Sequence, residues 1–239
     1  MAEIEQDKGY INPPIKSVSC EIRFPTLLTI SESIPKFQAE VRDMLSDYYI
    51  QTIPKAYKGG ILDETWWIFK SIDDILNLKV KNSSIALLSS NYVRFSPFFD
   101  IIKNYFESFF KINKIDKFLR IGLRYINRQD FDDVSCNLGI LLKYFKTRYF
   151  KFNEDDPIET FSIMYNVKEG DYLMSVGEDY AKNPQGKYSY QFDFDSYTNR
   201  DVNKSNYLSI IEGLHNNILK TFENYITDDY RNEILRVKK

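Results

Sequence analysis

The chain has 239 residues, 43% of them apolar and 16% aromatic, with 18 Phe and 18 Tyr against 9 Gly. That composition excludes a disordered chain and is enough to bury a sizeable core in one α+β unit. A formal net charge of −2 argues against a uniformly basic nucleic-acid coat or an anionic-membrane binder and leaves only a local basic face open.

In chain order, residues 1–12 are polar. They include Glu3, Glu5, Asp7 and Lys8 and lack the apolar run of a signal peptide. Pro13 and Pro14 favour an extended entry, and Val18, Cys20, Ile22 and Phe24 then alternate with polar residues as in a half-buried strand. From Ser33, a candidate N-cap followed by Pro35, the spacing turns helical, with Phe37, Val41, Met44, Leu45 and Tyr48 on one stripe. The stretch through Pro54, Gly59 and Gly60 reads as a loop. Three strands follow ("ETWWIFKSI", "LNLKVK", "SSIALLS"), divided by Asp73-Asp74 and Asn82-Ser83 turns, and then an apolar helix, "FFDIIKNYFESFFKI".

The same order then starts again. "FLRIGLRYINRQDF" at 118–131 reads as a strand with Ile121, Leu123 and Tyr125 on one face and Arg120, Arg124 and Arg128 on the other. A helix over 132–149 follows, then three strands ("TFSIMYNV", "DYLMSVG", "KYSYQFDFDSY") and a last helix carrying Leu208, Ile211, His215, Ile218, Phe222 and Tyr225 at three-four spacing. The expected fold is therefore α+β: a single domain, 1–239, built from two strand–helix–three-strands–helix half-repeats, 1–114 and 115–239. Their strands form an antiparallel sheet with the helices packed on one face, and the first strands of the halves meet near a pseudo-two-fold axis.

No catalytic set emerges. A nucleophile needs a nearby base, and the one histidine, His215, sits on an apolar helix seam, where an interior, hydrogen-bonded imidazole is expected. Cys20 and Cys136 form no CxxC pair and fit no zinc site; as reduced thiols they suit a cytoplasmic protein. Asp193 and Asp195 share a strand face that magnesium could accept, but D-x-D on a strand is common on solvated sheets. Phosphate-loop motifs are absent. "KYFKTRYFKF" at 143–152 mixes cations with aromatics as single-strand binders do, and equally as the cationic end of an amphipathic helix does. Catalytic residues, metal and cofactor are accordingly expected to be absent, and no membrane association is expected.

The arginines remain. On an open sheet face they could grip phosphates. Yet Asp193 and Asp195 alternate with Phe192 and Phe194, and Glu21 alternates with Cys20 and Ile22. If the apolar residues face the helices, those acids share the arginines' face and can neutralise them.

"NPPI" before the first strand, "WIFKSID" at 67–73, "LRYIN" at 123–127 and "GLH" in the last helix, followed by Phe222, together resemble a family of bacterial and archaeal proteins with sporadic distribution and no assigned chemistry. The matching positions are Pro13, Pro14, Ile15, Arg124, Tyr125, Asn127 and His215. The resemblance implies a part in mobile defence or toxin–antitoxin cassettes. On this reading the protein is a non-catalytic binding or regulatory protein with a protein partner, an effector or a complex subunit. A nucleic-acid-binding module is the alternative. The candidate binding residues are Arg120, Arg124, Arg128, Tyr125, Asn127 and His215.

Overall fold

The computed structural model describes residues 10–57, 60–131, 138–147, 158–182 and 187–236. Its centre is a pair of antiparallel strands, β1 (Ile15–Arg23) and β7 (Arg120–Phe131). Val18, Cys20 and Ile22 lie opposite Tyr125, Leu123 and Ile121, and all six are buried. Period-two alternation puts them on one face, as the sequence predicts.

From β1 the sheet runs outward through β5 (Ser84–Ser89), β4 (Leu76–Lys81) and β3 (Gly60–Lys70) to the edge strand β2 (Asp47–Tyr57). From β7 it runs through β10 (Tyr188–Tyr197) and β9 (Tyr172–Lys182) to the other edge, β8 (Thr160–Glu169). All pairings in this nine-stranded sheet are antiparallel. A two-residue ladder joins β6 (Lys117–Phe118) to β11 (Val202–Asn203).

The apolar face is covered by α1 (Ile30–Val41), α2 (Phe95–Asn113) and α4 (Tyr207–Tyr225). Helix α1 lies on α2 and β3, α2 on β5, and α4 on β7 and β10. Aromatic rings supply much of the filling: Phe37 meets both Phe69 and Phe109 edge-on, and Phe192 stacks against Phe222 of α4. A short helix, α3 (Leu138–Tyr144), and a π-helical turn at Tyr230–Leu235 close the far end. Among the described residues no helix is long and apolar enough to cross a membrane.

Two expectations are corrected. Helix α1 starts at Ile30 after Thr29 and ends at Val41, so Ser33 lies inside it, its Oγ donating to the Ile30 carbonyl at 2.8 Å. Residues 47–57 form strand β2 and not the end of a helix followed by a loop. Tyr48 continues the helical stripe by spacing, yet it packs on Phe69 across the β2–β3 ladder. Pro54 is tolerated because β2 is an edge strand, with one side unpaired within the sheet. Four strands, β2 to β5, thus follow α1, whereas three, β8 to β10, follow α3. The predicted helix over 132–149 is observed for 138–144; residues 132–137 and 148–157 lie outside the described residues, taking with them Cys136 and half of the 143–152 stretch.

Leu123 is fully buried at the central pair. Leu123→Ala is expected to destabilise the fold by about 2–5 kcal/mol through lost contact and a residual cavity, measured as a lower urea midpoint with an unchanged m-value.

Candidate functional site: the open sheet face and its surroundings

The face of the central strands opposite the helices carries the charged phase of the sequence. Arg120 lies almost flat across it, its guanidinium 2.9 Å from Asp195 and 3.3 Å from Glu21. It also sits 4.4 Å over the Tyr197 ring. Arg124 grips Asp193: its Nε donates to both carboxylate oxygens at 2.9 Å, and a terminal nitrogen donates to Oδ2 as well. Hydrogen bonding to Asp193 pushes the Arg124 guanidinium further above its usual range. Burial pushes the Asp195 carboxyl up, against the pull of Arg120 and Arg124. Arg124 is still 47% exposed, against 15% for Arg120, so Arg124 is the arginine of this pair that an incoming partner can reach.

Gly122 makes the Arg120 geometry possible. A Cβ there would stand 2.6 Å from an Arg120 terminal nitrogen, so with any side chain at this position the guanidinium would have to shift. The third arginine, Arg128, is separate: it pairs with Asp130 on its own strand at 2.7 Å, at the end of the sheet.

On the β2–β4 side the same face carries lysines on rings. Lys81 lies 3.9 Å and Lys79 5.5 Å from the Trp66 ring, and Lys70 lies 5.5 Å from Tyr49. Glu64 accepts from Trp66 Nε1 at 2.8 Å and pairs with Lys55 and Lys81, both at 3.3 Å. On β1, β7 and β10, and again on β2 to β4, this face therefore interleaves opposite charges with aromatic rings.

The other three predicted residues lie on the helix side. The Tyr125 hydroxyl is 2.9 Å from His215 Nδ1 and 2.9 Å from the Tyr92 hydroxyl, and the imidazole stacks on Phe95 at 3.8 Å. Burial lowers the His215 pKa to about 4, so the ring is neutral at pH 7, and a relay from Tyr92 through Tyr125 to Nδ1 gives each group a role. Among the described residues its hydrogen-bond partner at Nδ1 is the Tyr125 hydroxyl and not a carboxylate. Asn127 is buried and donates to the Phe192 carbonyl at 3.1 Å. The six candidates thus fall into three places: Arg120 and Arg124 on the open face, Arg128 at the sheet end, and Tyr125, Asn127 and His215 in the core.

Asp193 and Asp195 are engaged by arginines, and among the described residues no group of three His, Cys, Asp or Glu side chains is placed to hold a metal ion. Sequence reasoning missed Tyr92 and Phe95, the partners that fix His215. It also missed Glu178, a buried carboxylate that accepts from Tyr165 at 3.1 Å and Tyr190 at 2.9 Å. Alternation on β9 places Glu178 in phase with Met174, Val176 and Tyr180, which is the signal that would have found it. A cleft at the end of the sheet, of about 470 Å³, was missed as well; its walls come from the two chain ends and β7.

No family model matches the chain, and no curated protein sequence matches it. The resemblance at Pro13, Pro14, Ile15, Arg124, Tyr125, Asn127 and His215 rests on those residues alone.

Two outcomes follow. Gly122→Val should expel Arg120 from its seat between Glu21 and Asp195, seen as a chemical-shift change of the Arg120 Nε–H resonance. For His215, the folded pKa lies below the unfolded value of 6.5. Between about pH 4 and 6.5 the unfolded chain binds the extra proton, so the contribution is complete above 6.5 and is lost as pH falls toward 4. Urea melts of His215→Gln should show a flatter loss of stability across that window than the parent.

Proposed function

We propose that the protein is a non-catalytic binding or regulatory protein that engages a protein partner, an effector or a complex subunit, across the open sheet face. The observation that carries this reading is the pairing of Arg120 and Arg124 with Glu21, Asp193 and Asp195. A polyanion gains from unpaired cations, whose counterions it releases. A face of alternating sign with Arg, Tyr and Trp side chains matches instead the chemistry of protein interfaces, where registered charge selects the partner. The neutral His215, bound into the aromatic core, supports a structural role for the one histidine. A cytoplasmic place in a defence or toxin–antitoxin cassette is what the sequence resemblance adds.

The duplication belongs to the same proposal. Half-repeats 1–114 and 115–239 are supported by β1 and β7 meeting antiparallel, each leading into a helix, and by closing helices α2 and α4 of 19 residues each. The extra strand β2 is where the halves differ.

One observation favours the nucleic-acid alternative: the lysines around Trp66 on β3 and β4, a ring-and-cation arrangement that single-strand binders use.

The test is a pull-down from the native host with mass spectrometry and sequencing of co-eluting nucleic acid. A protein should co-elute, survive nuclease treatment, and fall at least about tenfold in recovery with Arg124→Glu but not with Glu212→Lys on the outer surface of α4. Recovery that depends on nucleic acid, or a purified protein that hydrolyses nucleotides and loses this on one side-chain change, contradicts the proposal.

A further inference from the structure

The cleft at the end of the sheet is distinct from the open face, and two backbone irregularities converge on it. The first is in the β1–β7 ladder. Ile15 pairs with Asn127 and Ser17 with Ile126, so Lys16 is an extra, unpaired residue. A bulge of this kind re-aims a side chain, and here Lys16 lines the cleft. The second is Arg236, which caps the C-terminal π-helical turn at φ 51°, a left-handed conformation that a non-glycine residue adopts at a cost. It is fixed there by its N–H bond to the Arg231 carbonyl at 2.9 Å and by the Ile11 N–H on its own carbonyl at 2.8 Å. Arg236 lines the same cleft. Between them stands Arg128, its backbone N–H held by the Pro14 carbonyl at 2.9 Å.

The charge of the cleft is lopsided. Asp130 is taken by Arg128 Nε, and among the described residues the terminal nitrogens of that guanidinium have no ion-pair partner. Glu233 is taken from outside by Lys143 at 2.7 Å and by the Tyr144 hydroxyl at 2.8 Å. Counting Lys143, four cations face two carboxylates, a surplus of two. Among the described residues neither Lys16 nor Arg236 has an ion-pair partner, and both side chains are exposed to the cleft mouth. The Pro13-Pro14 segment, restricted at both φ angles, forms one wall.

We propose that this cleft binds a small phosphomonoester of about nucleotide size, its phosphate held by Lys16, Arg128 and Arg236. A phosphomonoester carries about −1.5 to −2 charge at pH 7, which matches the surplus; a single carboxylate does not. The volume of about 470 Å³ falls within the range of small-ligand sites, about 300–1,000 Å³. Arginine supplies the forked donors and lysine the point charge that phosphate recognition uses. The Asn12 side-chain amide, which donates to the Ile234 carbonyl at 3.2 Å, ties the two chain ends together across the cleft.

The test is calorimetric titration of the full chain at low salt with adenosine monophosphate, adenosine and inorganic phosphate. Adenosine monophosphate should bind and adenosine should give no heat. The double variant Lys16→Gln/Arg236→Gln should weaken binding at least tenfold with an unchanged melting temperature, because both side chains are exposed. Arg124→Ala on the open face should leave binding intact, which keeps this site separate from the protein-docking reading. Absence of heat with adenosine monophosphate at millimolar concentration overturns the proposal. So does undiminished binding in the double variant, loss of binding in Arg124→Ala, or inorganic phosphate binding as tightly as the nucleotide, which would leave a bare-anion site.

Discussion

Everything in this molecule depends on the antiparallel pairing of β1 with β7. One ladder joins strands about a hundred residues apart in sequence and makes two four- or five-stranded groups into a single sheet. Its apolar side carries Val18, Cys20, Ile22, Ile121, Leu123 and Tyr125 into the core, each contributing on the order of 1.5–3 kcal/mol of burial. The same register brings Glu21 across from Gly122, and so beside Arg120. Because a one-residue slip would turn every side chain to the wrong face, the apolar pattern that forms the core also dictates which charges meet on the outside.

That coupling explains why a strand with three arginines is not a phosphate grip by default. Arg120 is desolvated between two carboxylates and a tyrosine ring, and Gly122 is small so that it can be. Each exposed cross-strand pair is worth only about 0.2–1 kcal/mol, so the lattice adds little to stability. On the proposed reading its effect is on recognition, as a pattern of alternating sign that a partner must match. Arg124 is the more exposed of the two, and on the other side of β7 Tyr125 joins the partly buried Tyr92 and His215 through its hydroxyl.

The sequence was most legible where one period held for many residues. In β7 and β10 the phase predicted both the buried residues and the arginine–acid partnership, and in α4 the seam predicted an interior His215. It was least legible at β2. Tyr48 extends the helical stripe by coincidence of spacing, and Pro54 looks like a strand breaker until the strand is seen to be an edge. Alternation also placed Tyr125 on the face opposite the arginines, and Asn127 follows it into the buried phase of β7. The end cleft had no local signal at all, since Lys16, Arg128 and Arg236 are brought together only by the closure of both chain ends on the sheet.

The central claim is that the arginines of the open face are satisfied by the protein's own acids and are therefore unavailable to a polyanion. Fluorescence anisotropy with single-stranded DNA and RNA across a salt series tests it most directly, comparing the natural chain with Asp193→Asn/Asp195→Asn. The account predicts that any binding by the natural chain is unchanged by Arg124→Ala, and that steeply salt-dependent binding requiring Arg124 appears once the two acids are removed. Salt-dependent binding by the natural chain that Arg124→Ala abolishes would contradict it.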